Sequence, residues 1–421
     1  MELKAFLRSS SLYLGLLALF AVSALLNDKF LDLNNQRNVL WQVSNNGIIA
    51  IGMTLVILTG GIDLSVGSLL SVGSVICAML LMQRTWNDAA LFAIPAFALT
   101  CALAVGFLTA HFARRFMDRW VWLTGLAPAV LAFALAYLWA GRQVPHGFGT
   151  LSVFLLVLPF CLLLGALNGI IIAKANLQPF IVTLAMMVSA VGLARLIAGA
   201  GGRIHAIYFG NPGDPTGAPP SFGILAENIP VFGMDLIPIP GLFFLATALA
   251  AWVLLNKTRL GRYIYAVGGN EEAARFSGIP TSRIKIFVYA ASGLLCGLAA
   301  VLYAASYQQG KADAGSGREL DAIAAVVIGG TSLMGGRGAI GGTVVGVLIF
   351  GYLNNILNLE GVPTEFQAIL KGVIIVLAVL LQEGIMARWL SDVYRRFRKP
   401  GRPSASSAGL SVVEVPAELN K

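Results

Sequence analysis

Long apolar segments recur along this chain, and they constrain its fold more than any other feature. Each segment has about 16–25 residues, close to the ~20 that a helix needs to cross a hydrocarbon core of about 30 Å. Charged residues make up only 12% of the 421 residues, about half their share in a soluble domain. The pattern predicts an all-α, polytopic integral membrane protein with about 10–12 transmembrane helices, some of them short or broken.

The net charge of +9 comes mainly from Lys and Arg in the segments between the apolar runs. It therefore gives no indication of nucleic-acid binding. If the N-terminus lies inside and twelve predicted spans all cross, 20 of the 29 Lys and Arg residues lie in inside segments and seven in outside segments. This is the bias of cytoplasmic loops, so both termini are expected in the cytoplasm.

The two ends of the chain have separate interpretations. Lys4 and Arg8 precede an apolar run at 10–26, which resembles either a signal peptide or an uncleaved first helix. The many later spans favour the uncleaved helix. Residues 27–44 are expected to form a loop or a surface helix. At the other end, residues 387–421 are expected to form a basic, disordered cytoplasmic tail.

The first interruption of an apolar segment is TGGIDLSVGS at 59–68. The helix before it is predicted to have about 16 residues, which is short for a membrane core, so the Gly60-Gly61 turn would lie at membrane depth. Irregular backbone is tolerated there only where protein or water covers it. Asp63 or Ser65 either caps the next helix or faces a substrate path, since charge inside a membrane is costly.

A second interruption follows a short helix that is predicted to start at Glu319 and to end at the glycines of 329–338. Glu319 and Asp321 either cap this helix or accept hydrogen bonds from a polyol. The pattern G-G-x-x-L-x-x-G occurs at both 60–67 and 329–336, either by chance or as an internal repeat. The candidate residues of a translocation path are Asp63, Ser65, Glu319, Asp321 and Asn354.

A polar island at 261–279 separates two apolar runs on the predicted cytoplasmic side. Asn270 is suited to cap a short helix, and Glu271 and Glu272 would lie in its first turn, where carboxylates favour the helix dipole. Gly278 suits the residue after the helix, and Pro280 prevents its continuation. Such a helix is either a solvated connector or a surface that docks into a partner.

The sequence contains none of the motifs of several enzyme classes. G-x-x-x-x-G-K-[ST], G-x-S-x-G and H-E-x-x-H are all absent from it, so we predict no catalytic residue, no metal site and no cofactor. The four cysteines fall in apolar runs and are interpreted as buried apolar residues. The chain is expected to be a transport subunit that is not itself an enzyme and depends on another protein for energy.

Four stretches resemble the permease subunits of bacterial ABC importers for ribose, xylose, arabinose and galactosides: TRLGRYIYAVGGNEEAARFSGI, ELDAIAAVVIGGTSLMGGRGAIGGT, GGIDLSVGS and KGVIIVLAV. The resemblance implies a permease that translocates a monosaccharide or a related small polyol across the bacterial inner membrane. It implies a homodimer or pseudo-dimer with a second permease, a cytoplasmic subunit that binds and hydrolyses ATP, and a periplasmic sugar-binding protein. Membrane lipid would surround the assembly.

In this family the E-A-A-x-x-x-G loop is the coupling helix, which sits in a groove of the ATPase. The resemblance places that role within a cytoplasmic coupling loop at 261–283. The candidate ATPase-coupling residues are Asn270, Glu271, Glu272, Ala273, Ala274, Phe276 and Gly278.

The chain departs from the family at 84–149, where members usually have a short loop. Two apolar segments in this insertion would add two crossings and leave the orientation of everything downstream unchanged. A transmembrane permease domain is therefore predicted over 1–386. The polar loop at 200–235 would lie outside as a partner-binding surface or a plain connector.

Two other classes of function remain open at this stage. A secondary transporter driven by an ion gradient is also built from broken helices, and it would transport without an ATPase. A membrane enzyme acting on lipid-linked sugars would need catalytic groups at a membrane face. Only Asp63, Glu319 and Asp321 are available for that chemistry.

Overall fold

Nearly all regular structure in this chain is helical. The computed structural model describes residues 2–82, 88–113, 121–143, 150–199, 202–209, 218–231 and 234–382. In chain order its helices are α1 Glu2–Leu26, α2 Leu33–Leu58, α3 Val66–Met82, α4 Asp88–Ala113, α5 Val121–Gln143, α6 Thr150–Ala175, α7 Pro179–Ala198, α8 Pro220–Gly223, α9 Ile239–Lys257, α10 Arg259–Gly269, α11 Glu271–Phe276, α12 Thr281–Tyr307, α13 Arg318–Ile328, α14 Ile340–Leu359 and α15 Thr364–Gln382.

Four short strands are confined to the connections between helices. They are β1 His205–Ala206, β2 Asn228–Val231, β3 Met234–Pro238 and β4 Gln309–Gly310. Both pairs, β1 with β4 and β2 with β3, are antiparallel. The β1–β4 pair joins two connections that the charge pattern predicts to lie on the same, outer side.

The all-α, polytopic prediction is confirmed. Within the described ranges, six helices are long and apolar enough to cross a membrane, namely α2, α6, α7, α9, α12 and α14. Shorter apolar stretches lie in α1, α3, α4 and α5. The number of crossings, about 10–12, stays a prediction.

Among the residues that the structure describes, α6 and α12 share the most extensive contact between two helices. Gly165 and Gly169 on α6, and Gly293 and Gly297 on α12, each form a G-x-x-x-G pair. A Cβ on Gly165 would lie 3.0 Å from Cα of Gly293, and one on Gly169 would lie 2.7 Å from Cα of Ile286. Small residues of this kind let two membrane helices approach backbone to backbone.

The predicted start of α2 at about residue 45 is wrong. Asp32 caps the helix, accepting a 3.1 Å hydrogen bond from Asn34 N, and α2 then continues for 26 residues, about 39 Å. The polar residues of its first turns are satisfied by α14, because Asn35 and Asn355 exchange amide hydrogen bonds of 3.0 and 2.7 Å. The argument that a short helix places Gly60-Gly61 at membrane depth therefore fails.

The interruption after α2 is nevertheless present. Gly60 has φ +78°, and Gly61 N donates to Val56 O at 3.2 Å, which closes the helix end as glycine C-caps do. The chain then runs without regular structure to α3, with Asp63 and Ser65 fully buried. Irregular backbone is thus covered by protein, as a membrane interior requires.

The depth of this irregular segment follows from Ser292 on α12. A Cβ on Gly52 of α2 would lie 3.1 Å from Cα of Ser292, and the Ser292 hydroxyl donates to Asp63 Oδ2 at 3.1 Å. Gly52 precedes the end of α2 by six residues, about 9 Å. After the turn the chain therefore returns into the helical interior.

The short helix α13 is present between two irregular segments, beginning at Arg318, one residue earlier than predicted. Its end has the same geometry as the end of α2, since Gly330 has φ +86° and Thr331 N donates to Val326 O at 3.2 Å. Gly330 thus corresponds to Gly60 in the structure, whereas the sequence pattern pairs Gly60 with Gly329. The pattern G-G-x-x-L-x-x-G does not align the two turns.

Both segments of the predicted insertion at 84–149 contain a long helix. Phe97 of α4 and Trp139 of α5 have ring centroids 6.1 Å apart. Outward positions such as Leu103 and Leu135 are more than half exposed, as suits a surface that faces lipid. That both helices cross the membrane stays a prediction.

The chain divides into two compact units, residues 1–378 and 379–421. The second unit is described only as far as Gln382, the end of α15. The predicted tail at 387–421 lies outside the described residues.

The α6–α12 packing yields a stability prediction. We expect the Val side chain in Gly293→Val to overlap the Cys161 carbonyl of α6. The free energy of unfolding should fall by about 1–3 kcal/mol, the usual cost of overpacking. Thermal unfolding of the purified protein in detergent measures this cost. Gly192→Val on α7 is the matched control, because no atom lies within 4 Å of a Cβ there. Equal unfolding temperatures for the two variants would contradict the packing assignment.

Candidate functional site

The polar island contains the predicted short helix, α11. Asn270 Oδ1 accepts a 2.9 Å hydrogen bond from Ala273 N, as an N-cap does. At the other end Gly278 has φ +81°, and Ile279 N donates to Ala274 O at 3.0 Å. The capping predictions for Asn270 and Gly278 are confirmed, although their coupling role stays a prediction.

α11 presents most of its surface to the outside of the chain. Ala274 alone among its six residues is buried, while the Phe276 ring is 85% exposed. Glu272 and Ala273 are also exposed. Aromatic side chains are enriched at protein interfaces, so the exposed Phe276 ring is compatible with docking to a partner; the docking role stays a prediction.

One ion pair fastens α11 to the start of α12. The Glu271 carboxylate lies 2.6 Å from Lys285 Nζ, and Glu271 is 44% exposed. Exposed pairs of this kind contribute about 0–1 kcal/mol. The pair orients α11 and leaves Glu272 free for other contacts.

A second helix in the island, α10, was not predicted. Thr258 Oγ1 caps it by accepting from Gly261 N at 3.2 Å, and Ile264 and Val267 are buried on one face. The Thr258 cap and the spacing of these two residues were the available signals. α10 leads directly into α11 through Asn270.

The C-terminal end of α10 lies against both interruptions. A Cβ on Gly268 would overlap the Leu58 carbonyl and lie 2.6 Å from Gly336 N, and Gly336 N itself donates to Leu58 O at 3.0 Å. Tyr265 of α10 donates its hydroxyl proton to Gly338 O at 2.9 Å. Partial burial raises the pKa of the Tyr265 phenol, which favours this donor form.

The interior candidates Asp63 and Ser65 lie together. Asp63 Oδ1 accepts from Ser65 N at 3.0 Å and from Ser65 Oγ at 2.6 Å, and Oδ2 accepts from Ser292. Asn168 of α6 donates to Ser65 Oγ at 3.0 Å. Burial of a carboxylate costs several kcal/mol unless it is hydrogen-bonded. These bonds make Asp63 a buried cap that ties the irregular segment to α6 and α12.

The candidates Asp321 and Asn354 lie in a different place, beside α2. With Gln42 and Asn46 they line a cavity of about 30 Å³, large enough for a water molecule and too small for a monosaccharide. Asp321 accepts from Lys371 Nζ at 3.1 and 3.2 Å. The sequence reasoning did not single out Gln42, Asn46 or Lys371.

Glu319 joins neither group. Its carboxylate packs against Gly67 at the start of α3, and Arg318 beside it donates to Asn46 Oδ1 at 2.5 Å. The five path candidates are therefore distributed over three neighbouring places. Their role in a path stays a prediction.

Among the residues that the structure describes, no three His, Cys, Asp or Glu side chains are grouped so as to hold a metal ion. The four cysteines are free, and three of them are buried. The arrangement joins an exposed short helix, α11, to the two interrupted segments through α10.

A protein-family model described as branched-chain amino acid transport system / permease component matches residues 36–153 and 123–379. The ribose import permease protein of Escherichia coli K12 is 39% identical over 384 residues, covering 90% of this chain and 94% of that protein. The ribose import permease protein of Bacillus subtilis 168 is 38% identical over 372 residues, covering 88% and 91%.

A further relative transports a different sugar. The galactose/methyl galactoside import permease protein of Escherichia coli K12 is 31% identical over 392 residues, covering 91% of this chain and 96% of that protein. No solved structure matches the chain.

The cap of α11 can be tested directly. We expect Asn270→Ala to destabilise α11 by about 1 kcal/mol because Ala273 N loses its acceptor. Backbone amides of α11 should then exchange hydrogen roughly fivefold faster, as measured by mass spectrometry of the purified protein. Asn270→Ser retains a capping oxygen and should exchange like the wild type. Equal exchange in the Ala and Ser variants would show that the side chain does not cap α11.

Proposed function

The chain belongs to the branched-chain amino acid transport system / permease component family, and we propose that it is the sugar-translocating permease subunit of an ABC importer. The observation that carries this proposal is similarity to ribose import permeases over nine-tenths of the chain. The exposed helix α11, which is capped at both ends, supplies a surface that an ATPase subunit could bind.

The substrate class rests on the relatives. The family description names branched-chain amino acids, whereas the relatives cited above are named as sugar import permeases. Identity to the two ribose permeases cited above is 39% and 38%, higher than the 31% to the galactoside permease. We therefore assign a monosaccharide or a related small polyol as the substrate, with a pentose such as ribose as the first candidate.

The energy source is a separate ATPase. The sequence has no phosphate-binding loop of its own, and an ABC importer of this kind works with an ATP-binding subunit and a periplasmic binding protein. In this proposal ATP binding closes the ATPase pair, which pulls on the α11 helices of two permeases and turns them from inward- to outward-facing. Hydrolysis resets them. The binding protein selects the sugar, so the permease needs no tight site.

The protein is a multi-pass protein of the inner membrane, and we place both termini in the cytoplasm. The excess of basic residues in the predicted inside segments supports this orientation. Contacts between distant connections support the assignment of these connections to one shared side. Asn27 donates to Glu360 Oε1 at 3.0 Å, and the Thr150 and Ser221 hydroxyls lie 2.7 Å apart. Each pair joins two connections assigned to the outside.

Transport itself is the first test. The permease, its ATPase and its binding protein are reconstituted in liposomes and supplied with ATP and labelled ribose, galactose or leucine. We expect ATP-dependent uptake of ribose and no uptake of leucine. Uptake of leucine and of neither sugar would refute the substrate class. Uptake by the chain alone under an ion gradient would refute the ABC mechanism.

The role of α11 is tested with two variants. Glu272→Arg reverses an exposed charge, and Gly278→Leu forces a side chain into a left-handed conformation that costs about 1–2 kcal/mol. We expect both to reduce uptake to background while the protein still inserts.

The matched control for Gly278 is Gly361, at the end of α14. Gly361 also has positive φ, +68° against +81°, and at both positions no atom lies within 4 Å of a Cβ. Gly361→Leu therefore introduces similar strain on the predicted outer side and should retain uptake. Wild-type uptake in Glu272→Arg and Gly278→Leu would refute the coupling role of α11.

A further inference from the structure

Four glycines and one carbonyl group form a backbone junction at the end of α10. The glycine junction consists of Gly60, Gly268, Gly335, Gly336 and the carbonyl of Leu58. These residues come from three separate parts of the sequence: the end of α2, the end of α10 and the loop after α13. The junction therefore joins the segment that carries α11 to both interruptions.

The contacts within the junction leave no room for side chains. A Cβ on Gly268 would overlap the Leu58 carbonyl. A Cβ on Gly335 would lie 2.8 Å from Gly60 N and 2.9 Å from Gly268 O, and one on Gly336 would lie 2.9 Å from Gly269 Cα. Gly335 and Gly336 also have positive φ, +83° and +69°, which favours glycine.

Two hydrogen bonds hold the junction together. Gly336 N donates to Leu58 O, a carbonyl at the end of α2 that has no partner within its own helix. Tyr265, one turn before Gly268, donates to Gly338 O. α10 is thus bonded to the loop after α13 by a side chain and pressed against α2 by its own backbone.

Backbone contacts transmit displacement differently from side-chain contacts. A flexible side chain can change rotamer and absorb a shift of about 1 Å, whereas two backbones in contact cannot. Asn270 follows Gly268 by two residues and caps α11, so little chain lies between α11 and the junction. A displacement of α11 that moves the end of α10 would therefore act on the end of α2 and on the loop before α14.

We propose that the glycine junction transmits the movement of α11 to the two interrupted segments, with Gly268 and Tyr265 as positioning residues for transport. This inference rests on the proposed function, because it requires an ATPase that moves α11. Backbone packing at the glycine junction would thus connect α11, which contacts the ATPase, to the two interrupted segments. α3 and α14 continue from the two interruptions, so their starts shift when α11 shifts.

The test measures sugar uptake and ATP hydrolysis in the same reconstituted liposomes. We expect Gly268→Ala to leave assembly and ATP hydrolysis close to wild type while sugar transported per ATP falls by about tenfold or more, the scale of an overpacked contact. Tyr265→Phe removes one hydrogen bond and should lower this ratio by about fivefold. A merely structural defect would lower uptake and hydrolysis together.

Gly269→Ala is the matched control, one residue along the same helix. No atom lies within 4 Å of a Cβ on Gly269, so its ratio of uptake to hydrolysis should equal that of the wild type. A wild-type ratio in Gly268→Ala, or a proportional fall of uptake and hydrolysis, would overturn the inference.

If Gly268→Ala does not accumulate in the membrane, the ratio of uptake to ATP hydrolysis in Tyr265→Phe tests the inference instead. A lowered ratio in Tyr265→Phe supports the junction, and a wild-type ratio overturns it. Failure of the proposed function is distinguishable, because the wild-type complex would then show no ATP-driven uptake of any sugar tested.

Discussion

The hydrogen bond from Gly336 N to Leu58 O, 3.0 Å long, joins two places where this chain interrupts its helices. Helix ends leave backbone groups without partners, and a buried backbone group without a partner costs free energy. The chain satisfies this constraint by bringing one helix end against the loop that follows another. The irregular segment that follows α2 is buried as well, and there Asp63 accepts hydrogen bonds from Ser65 and Ser292.

The same constraint explains why glycine is concentrated at these positions. A side chain at Gly268 or Gly336 would separate backbones that must meet. Gly315, in the connection before α13, similarly lies against Gly67 at the start of α3, with Ser71 Oγ accepting from Gly315 N at 2.9 Å. The interrupted segments therefore meet their neighbours backbone to backbone at these positions.

Local features could be predicted from the sequence and distant ones could not. The helix α11 was predicted with both caps because Asn270 and Gly278 act on backbone within a few residues. The extent of α2 was missed because its polar first turns depend on Asn355, 320 residues away. The family resemblance predicted a coupling role for α11, but it could not predict the contact of Gly268 with Leu58, which only the fold brings together. Similarly, the partner of Asp321 could not be predicted, since Lys371 lies 50 residues further along.

The central claim is that a cytoplasmic ATPase binds α11. Site-specific cross-linking tests this claim most directly. In one variant a photoreactive amino acid replaces Phe276, the single aromatic residue of α11, which is 85% exposed. In a second variant it replaces Tyr208, which is 67% exposed on the predicted outer side. On illumination of the assembled complex, the account predicts a covalent product between position 276 and the ATPase and none from position 208. A complex that captures the ATPase equally from both positions, or from neither, would contradict it.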